Sequence, residues 1–168
     1  MTNFNRVRGG LLAKKIGDQF EGVFEFRCRS QGVLFLRVPN GCRQVGPKPN
    51  QLIRVRSPFD CVIDFQGKIA LLDLKTYSKN RISHGDLVPH QIQNLLDFET
   101  CGHIAGYIVF FREADKIVFY SASLLNMLRP GQGFSIDAGL LLGSREDIDV
   151  RKLFLTRGEV SELQAKEI

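Results

Sequence analysis

The 168-residue sequence predicts a single α/β domain, a mixed central β-sheet flanked by helices. Two observations lead there. Stretches with apolar residues at helical spacing alternate with short strand-like runs, in the order helix, three strands, helix, two strands, helix. The run "KIALLDLK" (68–75) is almost wholly apolar before Asp73, as a central strand buried on both faces requires. With 43% hydrophobic residues and no internal repeat, the chain has material for one core, so residues 1–168 are read as one domain.

The elements follow in order. Leu11, Leu12, Ile16, Phe20, Val23 and Phe24 recur at helical spacing and predict a helix over 11–26, with Gly9 and Gly10 loosening the chain before it. After Gly32, "VLFLRV" (33–38) reads as a strand. "PNGCRQVGPKPNQ" (39–51) holds three Pro and two Gly and is expected to be a loop or protruding arm, carrying Arg43 and Lys48. "DCVIDF" and "KIALLDLK" flank Gln66-Gly67 and predict a hairpin. "SKNRISHGD" (78–86) is a polar connection. Pro89 starts a helix to Phe98, with Ile92, Leu95 and Leu96 as its apolar stripe. "IAGYIVFF" (104–111) and "KIVFYSA" (116–122) are strands, followed by a short helix at 123–128, a loop at 129–139, and mixed short elements before a polar tail.

Composition narrows the function classes. A net charge of +5 and a pI near 9.2 favour an anionic partner such as nucleic acid. No apolar run approaches the roughly 20 residues of a membrane span, and "MTNFNRVRGGLLAKK" lacks the features of a signal peptide, so a cytoplasmic protein is expected. Cys28, Cys42, Cys61 and Cys101 stand singly without a CxxC pair, which disfavours zinc and predicts free thiols. The three histidines show no ligand spacing; His90, beside Gln91, is the one expected near a site.

The chemistry concentrates in "PFDCVIDFQGKIALLDLKTYSKN" (58–80). In a hairpin turning at Gln66-Gly67, residues equidistant from the turn sit opposite each other, which makes Asp60 and Asp73 cross-strand neighbours. Two carboxylates that close repel unless a proton or a cation lies between them. A hard divalent ion such as Mg²⁺ fits, since it takes one or two carboxylates and keeps several waters. Lys75 shares a face with Asp73, because strand side chains repeat every two residues. An ammonium there can orient a water or stabilise charge on a phosphate under attack. As a surface ion pair Asp73 and Lys75 would contribute under ~1 kcal/mol. The apolar run leading into them argues for a buried, compensated charge instead.

At these residues the sequence resembles the PD-(D/E)xK nuclease superfamily, and within it the RecU-type and Hjc-like Holliday junction resolvases. "SPFDCVIDFQGKIALLDLKT" is similar to the family's acid-bearing strand, Gly-containing turn and Asp/Glu-x-Lys strand. "PHQIQNLLDF" looks like the helix that follows, and "EADKIVFYSA" like part of the next hairpin, so the likeness spans about 57–125. The resemblance implies a restriction-endonuclease-like fold with Asp60, Asp73 and the Leu74 carbonyl binding Mg²⁺ (Mn²⁺ as an alternative) and Lys75 serving the attacking water. It further implies Glu21 as an acid from the first helix and Gln91 as a polar group turned to the site. Two departures stand out: Asp replaces the commoner Glu at position 73, and the 39–51 arm does not match the family's stalk residue for residue.

Arg43, Lys48, Arg54 and Arg56 flank or lie on the arm, and Lys79 and Arg81 follow the acidic strand; together they are expected to track DNA phosphates. The function expected is an Mg²⁺-dependent endonuclease selective for branched DNA, a Holliday junction resolvase acting as a C2 homodimer. A restriction- or repair-type endonuclease on duplex DNA, and a non-catalytic DNA-binding module on the same fold, remain alternatives at this point.

Overall fold

The computed structural model describes residues 3–44, 52–55 and 57–155, with side chains from 14 to 40 and from 57 to 155. Helix α1 (Asn3–Ser30) leads into β1 (Leu34–Arg37), the β2 (Gly41–Gln44) and β3 (Leu52–Val55) pair, β4 (Cys61–Phe65), β5 (Lys68–Tyr77) and β6 (Arg81–Ser83). Helix α2 (Pro89–Thr100), β7 (Ile104–Phe111), β8 (Lys116–Ser121), α3 (Ala122–Asn126), β9 (Gly133–Ser135) and β10 (Leu140–Gly143) complete the order. The main sheet runs β1-β4-β5-β7-β8-β10. Its pairs are antiparallel except β5 with β7, which run parallel because α2 carries the chain back across the sheet. This is the mixed-sheet α/β fold that the sequence predicts.

Each face of the sheet has its own apolar layer. On one, Phe20, Phe24 and Cys28 of α1 recur every four residues and pack on Phe35, Ile63, Leu72, Leu74, Ile108 and Phe110. On the other, Ile92 and Leu95 of α2 and Leu125 of α3 cover Leu71, Ala105, Tyr107, Val109 and Val118. A fully buried Phe such as Phe24 contributes about 1.5–3 kcal/mol relative to exposure. Because β5 lies third in the sheet and alternates its side chains between both layers, "IALL" is apolar throughout. Gln31 closes the end of α1, its amide donating to the Ile148 carbonyl and its oxygen accepting from the Val150 N–H.

Several expectations give way to more regular structure. The helix begins well before residue 11: its backbone runs unbroken through Gly9 and Gly10, since two glycines weaken a helix without forbidding it. Part of the expected arm loop is an antiparallel hairpin pairing Gly41 with Val55 through Gln44 with Leu52. "LIRV" supplies the β-branched residues for it, and the connection lies outside the described residues. The polar connection 78–86 and the loop 129–139 each contain a short strand, β6 and β9, which pair with each other. Ladder hydrogen bonds satisfy these backbones without an apolar pattern to announce them.

Candidate active site

The β4–β5 hairpin sets the site. Gln66 and Gly67 both take positive φ, 55° and 81°, the requirement of the two-residue turn whose twist matches the strands. That turn pairs Phe65 with Lys68 and, four steps on, Cys61 with Leu72. The paired register ends there, and Asp60, the next residue on β4, lies close enough to Asp73 for the two carboxyls to interact. The Asp60 N–H still donates to the Leu72 carbonyl at 3.0 Å. Its Oδ2 accepts from the Leu74 N–H at 2.7 Å, taking the place of the next backbone partner on β4. The N–H and C=O of a strand residue point to the same edge, so the Leu74 carbonyl also looks toward the end of β4 beside Asp60.

Asp73 has no solvent exposure, and among the described residues it is the one polar or charged residue that is buried. Three neighbours hold it. Gln91 Nε2, from the first turn of α2, donates to Oδ1 at 3.0 Å. Lys75 Nζ forms an ion pair with Oδ2, although that oxygen makes no well-aligned hydrogen bond. Tyr107, paired with Asp73 in the parallel β5–β7 register, donates from its hydroxyl to Gln91 Oε1 at 3.4 Å. The same ring lies under the Lys75 ammonium, 5.3 Å from Nζ to centroid, within cation–π range. The pull of Lys75 does not offset burial: loss of water pushes the Asp73 carboxyl up to about 7, and the adjacent Asp60 carboxylate adds to the rise.

Glu21 approaches from α1. Burial raises its carboxyl above the usual range, Arg37 at 3.2 Å on β1 draws it back, and Asp60 lies close enough to raise it again. Glu21 therefore stands at the rim of the acidic pair, engaged by Arg37, which also reaches Glu25 at 3.7 Å. His90 is exposed on α2. Lys79 and Arg81 lie past the end of β5, at a notch. Arg43 and Arg54 fall on the paired strands of the β2–β3 hairpin, opposite Ile53 and Cys42 respectively, while Lys48 and Arg56 lie outside the described residues.

No group of three or more His, Cys, Asp or Glu side chains among the described residues is assembled to hold a metal. The donors available at the acidic centre are two carboxylates and one backbone carbonyl. They suit a hard, largely hydrated divalent ion, and a buried Asp73 oxygen without an aligned donor is what such an ion would engage. Two residues escaped the sequence reading: Tyr107, which faces Asp73 through a parallel pairing, and Arg37, which engages Glu21.

No family model matches the sequence, and no curated protein does. The fold, in contrast, matches 22 chains of solved structures. One is Archaeoglobus fulgidus Hjc, a Holliday junction resolvase from an archaeal hyperthermophile, at a TM-score of 0.52 and 17% identity over 74% of this chain and 95% of that one. The likeness is one of fold alone, a mixed-sheet, restriction-endonuclease-like α/β domain. No helix among the described residues is long and apolar enough to cross a membrane.

Proposed function

We propose that this protein is a Mg²⁺-dependent, structure-selective DNA endonuclease, a Holliday junction resolvase that makes paired nicks in four-way junctions. The observation that carries the reading is Asp73, a carboxylate without solvent exposure set beside Asp60 and against Lys75. Even with Lys75 against it, a carboxyl buried beside a second carboxylate is costly to keep, which a passive DNA-binding module gives no reason to bear. The Hjc likeness favours branched DNA over a restriction-type duplex substrate. The sequence resemblance over residues 57–125 to RecU-type and Hjc-like resolvases supports the same reading.

Asp60, Asp73 and the Leu74 carbonyl would hold Mg²⁺. Once bound, the ion supplies a water of lowered pKa and neutralises charge at the phosphate. Gln91 fixes Oδ1 of Asp73, while Oδ2 faces the Lys75 ammonium. Lys75, steadied over the Tyr107 ring, donates hydrogen bonds to the attacking water or to a non-bridging phosphate oxygen. Glu21 adds a rim carboxylate able to hold a further water. Two symmetric nicks call for two such centres, hence a C2 homodimer. The test is cleavage of a four-way junction against linear duplex of the same sequence, with and without Mg²⁺. Paired nicks in the junction alone, only with Mg²⁺, are expected; equal cutting of linear duplex would favour the restriction- or repair-type enzyme.

A further inference from the structure

Beyond Lys75, on the same strand, a notch of about 500 Å³ opens between Tyr77, Ser78, Lys79, Arg81, Ser83 and Asp86. It begins two residues from Lys75, about 7 Å along the strand. That distance is one or two nucleotide steps of a DNA strand, at roughly 3.4 Å of helix rise each. Its one acid is partly committed, since Asp86 Oδ2 accepts from the Ser83 N–H at 2.8 Å and so caps its own turn. Among the described residues neither Lys79 nor Arg81 makes an ion pair.

Strand β6 lines the notch with Arg81 and Ser83, and its partner β9 sets a glycine beside Arg81. Gly133 pairs with Ser83, and a Cβ on it would collide with Nε of Arg81 and with the Ile82 carbonyl. The Arg81 side chain therefore lies along the ribbon over a position that only glycine leaves open. We propose that this notch seats a backbone phosphate of the substrate strand one or two nucleotides from the bond to be cut. Lys79 and Arg81 bind it, and Gly133 is the positioning residue that lets Arg81 lie in place. The inference rests on the nuclease reading and adds to it a defined phosphate subsite.

Binding of a fluorescent four-way junction in EDTA, across a salt series, tests this separately from cleavage. Arg81→Gln should weaken binding about fivefold to tenfold and reduce the salt slope by about 1, as loss of one phosphate contact does. Gly133→Ala should lose as much, and the double variant no more, because both remove one contact. Lys79→Gln is the second exposed-site variant, expected to keep the fold. Methylphosphonates placed singly around the mapped nick should weaken the wild type at one phosphate and leave Arg81→Gln unaffected there. Wild-type affinity and slope in both Arg81→Gln and Lys79→Gln, with junction cutting intact, would overturn the notch and leave the nuclease reading standing. Lost affinity in these variants of a protein that binds but never cuts would sustain the notch and overturn the nuclease reading.

Discussion

Gln91 donates its side-chain amide to Oδ1 of Asp73 at 3.0 Å, joining the first turn of α2 to the middle of β5 inside the apolar layer. This bond fixes the carboxylate plane and is in turn held by the Tyr107 hydroxyl. Replacing the amide by an apolar group of similar size leaves a buried carboxylate oxygen without its donor. Gln91→Leu should lower stability by roughly 1–3 kcal/mol and cut cleavage at least tenfold, while junction affinity in EDTA is kept. Urea melts and single-turnover cleavage read the two effects; unchanged cleavage would remove Gln91 from the positioning role.

The raised Asp73 carboxyl couples stability to pH. The folded state holds this proton more tightly than the unfolded chain, with about 7 against the ordinary 3.8. The stabilisation is therefore full below about pH 4 and is lost as pH rises through 7. Metal-free wild type should lose on the order of 2 kcal/mol between pH 5 and 8 from this group. Asp73→Asn should lack that loss, and Mg²⁺ should restore wild-type stability at pH 8. Parallel stability–pH profiles for the two proteins would show that Asp73 carries no such charge cost.

The β2–β3 hairpin, between β1 and β4 in the chain, carries Arg43 and Arg54. Replacing residues 41–49 with a short Gly-Ser linker removes β2, and a passive connection would tolerate this, since loop closure depends weakly on length. If the hairpin engages the junction, the ratio of junction to duplex affinity should fall at least fivefold with the core still folded. An unchanged ratio would reduce the hairpin to a connection.

How far the site could be read beforehand depended on the kind of pairing involved. The approach of Asp60 to Asp73 was legible because a two-residue turn fixes the antiparallel register as far as Cys61 and Leu72, the residues beside them. Gln91 was legible only through resemblance to a known helix, and its contact with Asp73 depends on how α2 crosses the sheet. Tyr107 was hidden because a parallel register is set by that crossover and by no local turn. Arg37 meets Glu21 through the docking of α1 on β1, which helical periodicity alone does not orient in register. The β2–β3 and β6–β9 ribbons are short and lack alternation, so Gly133 and Arg81, 52 positions apart (133 − 81), gave no sign of touching.

The central claim is that the Asp60–Asp73 pair is the metal and cleavage centre. Its most direct test measures Asp60→Asn and Asp73→Asn beside wild type on one four-way junction, with cleavage in Mg²⁺ and gel-shift affinity in EDTA. Asn preserves the size of each side chain and, at position 60, an oxygen to accept the Leu74 N–H. Both variants should bind the junction within about threefold of wild type yet cut it at least about 10³-fold more slowly, as loss of a metal-binding carboxylate demands. Wild-type nicking by either variant would contradict the assignment.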